Sequence, residues 1–406
     1  MAINIVISFL TAFITTLLAY SLVLRLAVKY NIVDNPDARK LQRTPVPVLG
    51  GLAVFFGIFA ASVLTYLGLV DNGDIEGIFL AMFIMLVVGI TDDIRDISPT
   101  LRFILEIAVT LFLMYRVGIR IGSFYGMWNW GVILSPWIYV PLTVVASVGI
   151  INSINLIDGV DGYSSGFGNM ACLVFGAMYW YIGNQVMAIL AFSIAGALIP
   201  FFLHNVFGKT SKMFIGDGGT LMLGTAMSVF VLDLFTADSV ASLQLQSRGL
   251  CLAAFALAVL AIPVFDTLRV MSTRILKGHS PFRPDKTHLH HLFIEMGFSH
   301  VGISVGLITL DFLIVVIWFI AYRCGASINL QLHIVALLAF LITFVFYPFV
   351  KIQQKRNTRV YSLLLRIGKA SHFERKGFWA WMRKVMDKKV DNREKRKRRI
   401  KLRRKK

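Results

Sequence analysis

The chain has 406 residues, of which 57% are apolar and only 16% charged, and its mean hydropathy is +0.71. A soluble globular core is excluded at that apolarity, and three scattered cysteines (Cys172, Cys251 and Cys324, with no CxxC) suggest neither a disulfide framework nor a thiolate metal site. The formal net charge of +19 belongs to one end. Residues 351–406 hold 23 of the 41 Lys and Arg and four of the 22 Asp and Glu, so the rest of the chain carries 18 of each and is neutral.

Eleven apolar runs approach the ~20 residues that cross a bilayer: 4–27, 48–70, 77–91, 101–118, 137–157, 162–182, 184–204, 218–236, 247–270, 301–322 and 329–350. The expected class is an all-α polytopic integral membrane protein with about eleven transmembrane helices. The first run has no basic residue before it and no A-x-A-like site after it, so it reads as a retained helix with its N-terminus outside. That topology places thirteen loop Lys and Arg inside and four outside, in line with the positive-inside rule. It divides the chain into a transmembrane catalytic domain, 1–350, and a basic cytoplasmic tail, 351–406. The tail is expected to lie on anionic lipid headgroups, and its FWAWM at 378–382 reads as interfacial. Basic runs also suit nucleic acid, but no stacking platform accompanies this one, so nucleic acid is set aside.

Polarity concentrates in five clusters on the predicted cytoplasmic side. NPDARKLQRTPVPVLGG, 35–51, offers Lys40 for a phosphate and Gly50–Gly51 for close backbone approach. DDIRD follows FLAMFIMLVV directly; Asp92, Asp93 and Asp96 are either wet loop residues or ligands of something positive. NSINLIDGVDG, 152–162, sets Asn155, Asp158 and Asp161 beside two helix-breaking glycines, with no basic residue close in sequence. HNVFGKTSKMFIGDGGTLMLG, 204–224, puts Asp217 at a helix start, where the dipole favours a carboxylate and where metal-phosphate sites also form, with Lys212 and Asn205 nearby. The longest inner loop, 263–293, supplies Arg269, Arg283, His288, His290 and His291. HLHH alone would admit zinc, but its companions are oxygen ligands, which favours Mg²⁺. Glu106, Asp311 and His333 read as interhelical contacts. The sum points to Mg²⁺-dependent phosphate chemistry at one membrane face.

Five of these pieces, ARK…P.P..GG, DDIRD, NLIDGVDG, MFIGDGGT and SPFRPDKTHLHH, occur in an order that resembles the polyprenyl-phosphate N-acetylhexosamine-1-phosphate transferase family over residues 30–295. Its branches include undecaprenyl-phosphate GlcNAc-1-phosphate transferases, which the histidine run matches better, and phospho-MurNAc-pentapeptide transferases. Gln42 and Val48 stand where many members carry His and a basic residue. The resemblance implies transfer of N-acetylhexosamine-1-phosphate from a UDP-sugar to undecaprenyl phosphate in the bacterial cytoplasmic membrane, with release of UMP. It implies Mg²⁺, with Mn²⁺ as a substitute, on Asp217, Asp161, Asp92 and Asp93, and a lipid phosphate engaged by Asp92 or Asp93. It also implies substrate contacts from Asn155, Asp158, Asn205, His288, His290, His291, Arg283, Arg269 and Lys40. A membrane prenyltransferase would need a second DxxxD-like motif, of which DGVDG is a poor version, and would leave HLHH idle. An ion-coupled transporter would show repeats and midplane carboxylates, which the sequence lacks. The sugar, the pathway and whether the chain forms a homodimer are open at this point.

Overall fold

The computed structural model describes residues 2–35, 44–66, 75–237, 248–281, 285–372 and 377–387. Each of the eleven apolar runs forms helix over its described residues: α1 (Ala2–Lys29), α2 (Gly50–Tyr66), α3 (Ile75–Arg95), α4 (Pro99–Phe112, continued by a π turn to Val117), α5 (Pro136–Leu156), α6 (Tyr163–Tyr181), α7 (Gln185–Phe207), α8 (Gly216–Phe235), the pair α9 (Leu252–Val259) and α10 (Ala261–Leu276), α12 (His300–Arg323) and the continuous Ile328–Lys355. This last stretch comprises α13 (Ile328–Phe340), a π turn and α14 (Phe346–Lys355). Among the described residues, seven of these helices are long and apolar enough to cross a membrane, and the α9–α10 pair makes eight. Over their described residues, α2 and α4 are shorter than that measure requires, and α6 is too polar in its first turns. Among the described residues, three further α-helical pieces and a short 3-10 turn (Met127–Asn129) lie outside the eleven: α11 (Leu289–Glu295), α15 (Arg359–Ala370) and residues 378–387.

The run 247–270 reads as one span but is bent by 79° at Leu260. Pro263 sits in the first turn of α10, where its missing N–H leaves no hydrogen bond unmade. The N–H of Ile262 that the break frees is taken by the Asp311 carboxylate of α12 at 2.9 Å. Asp311 is thus an interhelical contact that satisfies backbone at membrane depth.

Helix α8 forms the centre. All its residues are buried except Asp217 at its start and Asp233 near its end. Its neighbours α2, α3, α5 and α6 surround it, and two of them come close because they offer no side chain. A Cβ on Gly51 of α2 would fall 2.3 Å from Gly219, and one on Gly89 of α3 would fall 2.3 Å from the Asp217 backbone. Small residues are the usual means of close helix approach in lipid, where packing replaces the hydrophobic effect. Lipid-facing helices behave oppositely: α1 leaves Ile3, Leu10 and Leu18 about half or more exposed.

The fold is not purely helical. Val33–Asp34 pairs antiparallel with Val46–Pro47, and this small ribbon holds the chain against the entry to α8. There the N–H of Phe214 donates to the Pro47 carbonyl at 2.8 Å, and the N–H groups of Gly50 and Gly51 donate to the carbonyls of Phe214 and Ile215 at 2.9 and 2.8 Å. Val48 pairs with Phe214 across this contact and is buried.

Candidate active site

At one end of the bundle a cavity of about 1150 Å³ is walled by the ends of α1, α3 and α7, the start of α8, the small ribbon and the loop after α5. Asp92, Asp93, Asp158, Asp161, Asp217, Asn205 and His291 line it. Asn155, Arg269, His288 and His290 lie behind this wall rather than on it. Lys40 and Arg283 lie outside the described residues.

The three acidic groups nearest α8 have different surroundings. Asp93 turns its carboxylate onto the start of α8, accepting the N–H of Asp217 at 3.1 Å and of Gly218 at 3.4 Å. It therefore caps a helix from another helix and satisfies donors that have no intrahelical partner. Asp92 accepts the N–H of Ile97 at 3.0 Å and pairs with Arg102 at 3.2 Å. Asp217 accepts from the Asn155 amide at 2.9 Å, and the same amide reaches Thr220 at 2.8 Å. Arg102 Nη1 lies 3.9 Å from Asp217 as well as 3.2 Å from Asp92, so one guanidinium serves both carboxylates. Glu106 and Asn152 hold Arg102 from behind: Glu106 lies 3.6 Å from its Nε and accepts from the Asn152 amide.

The loop after α5 sorts its two aspartates. Asp158 opens onto the cavity and accepts from Ser164. The surrounding protein pushes its carboxyl up to about 7; the Ser164 bond opposes this, and the nearby negative charges of Asp217 and Asp161 add to it. Asp161 accepts from Lys212 at 2.6 Å and lies 3.0 Å from His300 Nδ1. Burial raises its carboxyl, but the His300 hydrogen bond and the Lys212 charge outweigh that and hold it below the usual carboxylate range. Asn205 is buried: it accepts the N–H of Gly162 at 2.7 Å and donates to the Met213 carbonyl at 2.9 Å, tying this loop to the approach to α8.

The histidines of α11 are ordered by Asp266 of α10. Asp266 accepts from Arg269 at 2.6 Å and from the N–H of Leu289 at 3.1 Å, and lies 2.9 Å from His288 Nδ1. Arg269 also donates to the Thr287 carbonyl at 2.6 Å and lies over the Tyr347 ring at 3.8 Å. His290 touches the Asp158 loop closely, since a Cβ on Gly159 would come within 2.3 Å of its Nε2. Burial, with the neighbouring His291 and His288, lowers its imidazole to about 3. His291, facing the cavity, is lowered to about 4 by burial and by His288 and Lys286. Both rings are therefore neutral near pH 7.

Among the described residues, no three His, Cys, Asp or Glu side chains converge as a preformed metal cage. The donor chemistry still fits a hard cation. Asp92 and Asp217 share one Arg102 guanidinium as counter-charge, and Asp217 is 39% exposed at its side chain. Mg²⁺ usually takes only one or two carboxylates and completes its shell with water and substrate phosphates.

Sequence reading alone missed Arg102, Asp266 and His300 as site members, and noted Lys212 only as close to Asp217 in sequence. Arg102 is signalled by its place just past DDIRD, and Asp266 by FDTLR. His300 and Lys212 meet Asp161 only through the fold.

A sequence profile described as glycosyl transferase family 4 matches residues 75–235, the stretch from α3 to the end of α8. A Bacillus subtilis (strain 168) protein named probable undecaprenyl-phosphate N-acetylglucosaminyl 1-phosphate transferase is 30% identical over 299 residues, covering 73% of this chain and 79% of its own. Proteins named undecaprenyl-phosphate alpha-N-acetylglucosaminyl 1-phosphate transferase are similar too: that of Yersinia pestis is 32% identical over 68% of this chain and 73% of its own, and that of Escherichia coli K12 is 30% identical over 71% and 76%. The aspartates gathered at the mouth of α8 thus sit on a scaffold shared along most of these chains, and the protein belongs to glycosyl transferase family 4.

Proposed function

We propose that this protein transfers N-acetylhexosamine-1-phosphate, with GlcNAc as the default sugar, from a UDP-sugar to undecaprenyl phosphate. A lipid phosphate oxygen attacks the phosphorus that bears the sugar, the diphosphate bridge breaks and UMP leaves. The observation that carries this reading is the single cavity that collects Asp92, Asp93, Asp158, Asp161 and Asp217 from three separate stretches of chain. The names of the similar proteins agree with it.

Asp217 with Asp92 would hold Mg²⁺, or Mn²⁺ in its place, which when bound offsets the charge of the diphosphate. The other steps belong to the chain itself. Asp93 fixes the start of α8 and hence the place of Asp217. Arg102 balances Asp92 and Asp217 until substrate arrives. Asp158, open to the cavity, is placed to take a proton from a substrate phosphate. Lys212 and His300 neutralise Asp161 at the cavity wall, and the neutral His291 offers a donor to substrate oxygens.

The cavity faces the cytoplasm of a bacterial inner membrane in this reading, with the N-terminus outside, the C-terminus inside and eleven crossings. The loop charges support that orientation. Helix α15 supports tail contact with anionic lipid: Val360, Leu363 and Ile367 are exposed along one side, among Arg359, Arg366 and Lys369.

The test is incubation of purified protein with undecaprenyl phosphate, Mg²⁺ and radiolabelled UDP-GlcNAc, with Asp217→Asn as control. UMP release with label in the lipid fraction, lost in the variant, is the expected result. No transfer from any UDP-hexosamine would refute the reading.

A further inference from the structure

The C-terminal segment does more than lie beside the membrane body. Its two described parts grip the two loops that deliver cations to Asp161. At the end of α15, Ser371 Oγ accepts the N–H of Ser299 at 2.9 Å, and the Ser371 carbonyl accepts the Ser299 hydroxyl at 2.9 Å. Ser299 caps α12 and directly precedes His300. Further on, Asp387 accepts the N–H groups of Lys209, Thr210 and Ser211 at 3.0–3.2 Å and the Ser211 hydroxyl at 3.0 Å. Trp379 stacks on Phe207 with ring centroids 4.2 Å apart. The loop gripped here leads straight into Lys212. Asp387 is buried, so its charge is committed to this contact.

Arg383 lies one turn before Asp387, on the same side of its helix, and lines the cavity that holds Asp92, Asp158 and Asp217. Its neighbour Lys384 is exposed and does not line it. The cavity must receive two phosphorylated substrates past a wall rich in aspartate. Lys212 is already paired with Asp161. An arginine fork suits phosphate oxygens better than a point charge does.

We propose that the C-terminal segment is a built part of the active site, in which Arg383 binds a substrate phosphate and the Asp387 clasp positions it. The inference rests on the transferase reading and adds to it a phosphate contact supplied by the tail. Two phosphates are available, the nucleotide diphosphate and the lipid monophosphate, and kinetics separate them.

The experiment uses full-length protein in neutral detergent, which excludes bulk anionic lipid. Values of kcat and of KM for UDP-GlcNAc and for undecaprenyl phosphate are measured for wild type, Arg383→Gln, Arg383→Lys, Asp387→Asn and Lys384→Gln, each with its thermal unfolding midpoint. Arg383→Gln is expected to raise one of the two KM values roughly ten-fold, as loss of one charge-assisted hydrogen bond would, at an unchanged unfolding midpoint. The KM that rises names the phosphate. Arg383→Lys should recover part of the loss, Asp387→Asn should raise the same KM, and Lys384→Gln should match wild type. An active wild type with both KM values unmoved in Arg383→Gln overturns this inference alone. A drop in kcat and unfolding midpoint without a KM change makes Arg383 structural and overturns it too. A wild type that transfers nothing overturns the transferase reading and this inference with it.

Discussion

Gly89→Ala tests whether the crossing of α3 and α8 sets the position of Asp217. A Cβ at Gly89 would lie 2.3 Å from the Asp217 carbonyl carbon and the Gly218 nitrogen, and 2.4 Å from the Asp217 oxygen. All three are backbone atoms, which cannot swing aside as a side chain can. Restoring an ordinary contact requires the start of α8 to retreat by roughly 1 Å, a shift of the kind that overpacking enforces at about 1–3 kcal/mol. Asp93 lies one turn further along α3, and its bonds to the Asp217 and Gly218 N–H groups, at 3.1 and 3.4 Å, have little slack for that movement. A misplacement of about 1 Å at a reacting group costs on the order of 100-fold in rate. The expectation is a kcat for UMP release lowered by about that factor, with a modest fall in unfolding midpoint. Gly149→Ala is the control: nothing lies within 4 Å of its added Cβ, and alanine is the better helix former. If Gly89→Ala turns over at nearly the wild-type rate, the crossing does not position Asp217 and the reasoning fails.

Further outcomes follow from other parts of the site. Asp266→Asn removes the charge on which Arg269 and His288 converge, and breaking a buried pair of this kind should cost roughly 3–5 kcal/mol, read as a large drop in unfolding midpoint in detergent. His290 is pushed down to about 3, against about 6.5 in the unfolded chain. Between those values the unfolded chain binds a proton that the folded one does not, so its contribution makes stability rise with pH up to about 6.5 and level off above it. The midpoint should therefore fall more steeply from pH 7 to pH 5 in wild type than in His290→Gln; equal slopes would count against a buried neutral ring. Chelation with EDTA should abolish transfer, and added Mg²⁺ or Mn²⁺ should restore it in wild type but not in Asp217→Asn.

Much of the architecture is legible in the sequence because apolar length is a local property. Eleven runs become helical, and the glycines of GDGG and DGVDG mark real helix boundaries. The bend at Leu260 is hidden, since the apolar run passes through it unbroken and the residue that makes it tolerable, Asp311, lies 49 positions beyond the Ile262 N–H that it accepts. The site divides in the same manner. Asp92, Asp93, Asp158, Asp161 and Asp217 are visible as carboxylates placed where a membrane protein should not need them. Their individual duties are invisible, because Asp93 is set apart from Asp92 only by facing the start of α8. Asn205 looks like a binding residue, and it both lines the cavity and latches two loops together, a second duty that only the fold shows. FWAWM looks interfacial throughout, yet Trp379 stacks on Phe207 and Phe378 meets the same ring edge-on, while Phe378 and Trp381 keep more than half their surface exposed.

The burial of α8 bears on the order in which the protein is made. Its main neighbours α2, α3 and α5 precede it in the chain, as does α6, whereas α9 follows it. Once residue 235 leaves the ribosome, every helix needed to enclose Asp217 has already been synthesised, and the matched family segment ends at that residue. Elongation of the remaining 171 residues then adds the histidines first and the Asp387 clasp near the end. A nascent chain stalled soon after residue 235 would already carry the Asp93, Arg102 and Asn155 partners of Asp217, but would lack His300 beside Asp161 and both His291 and Arg383 at the cavity.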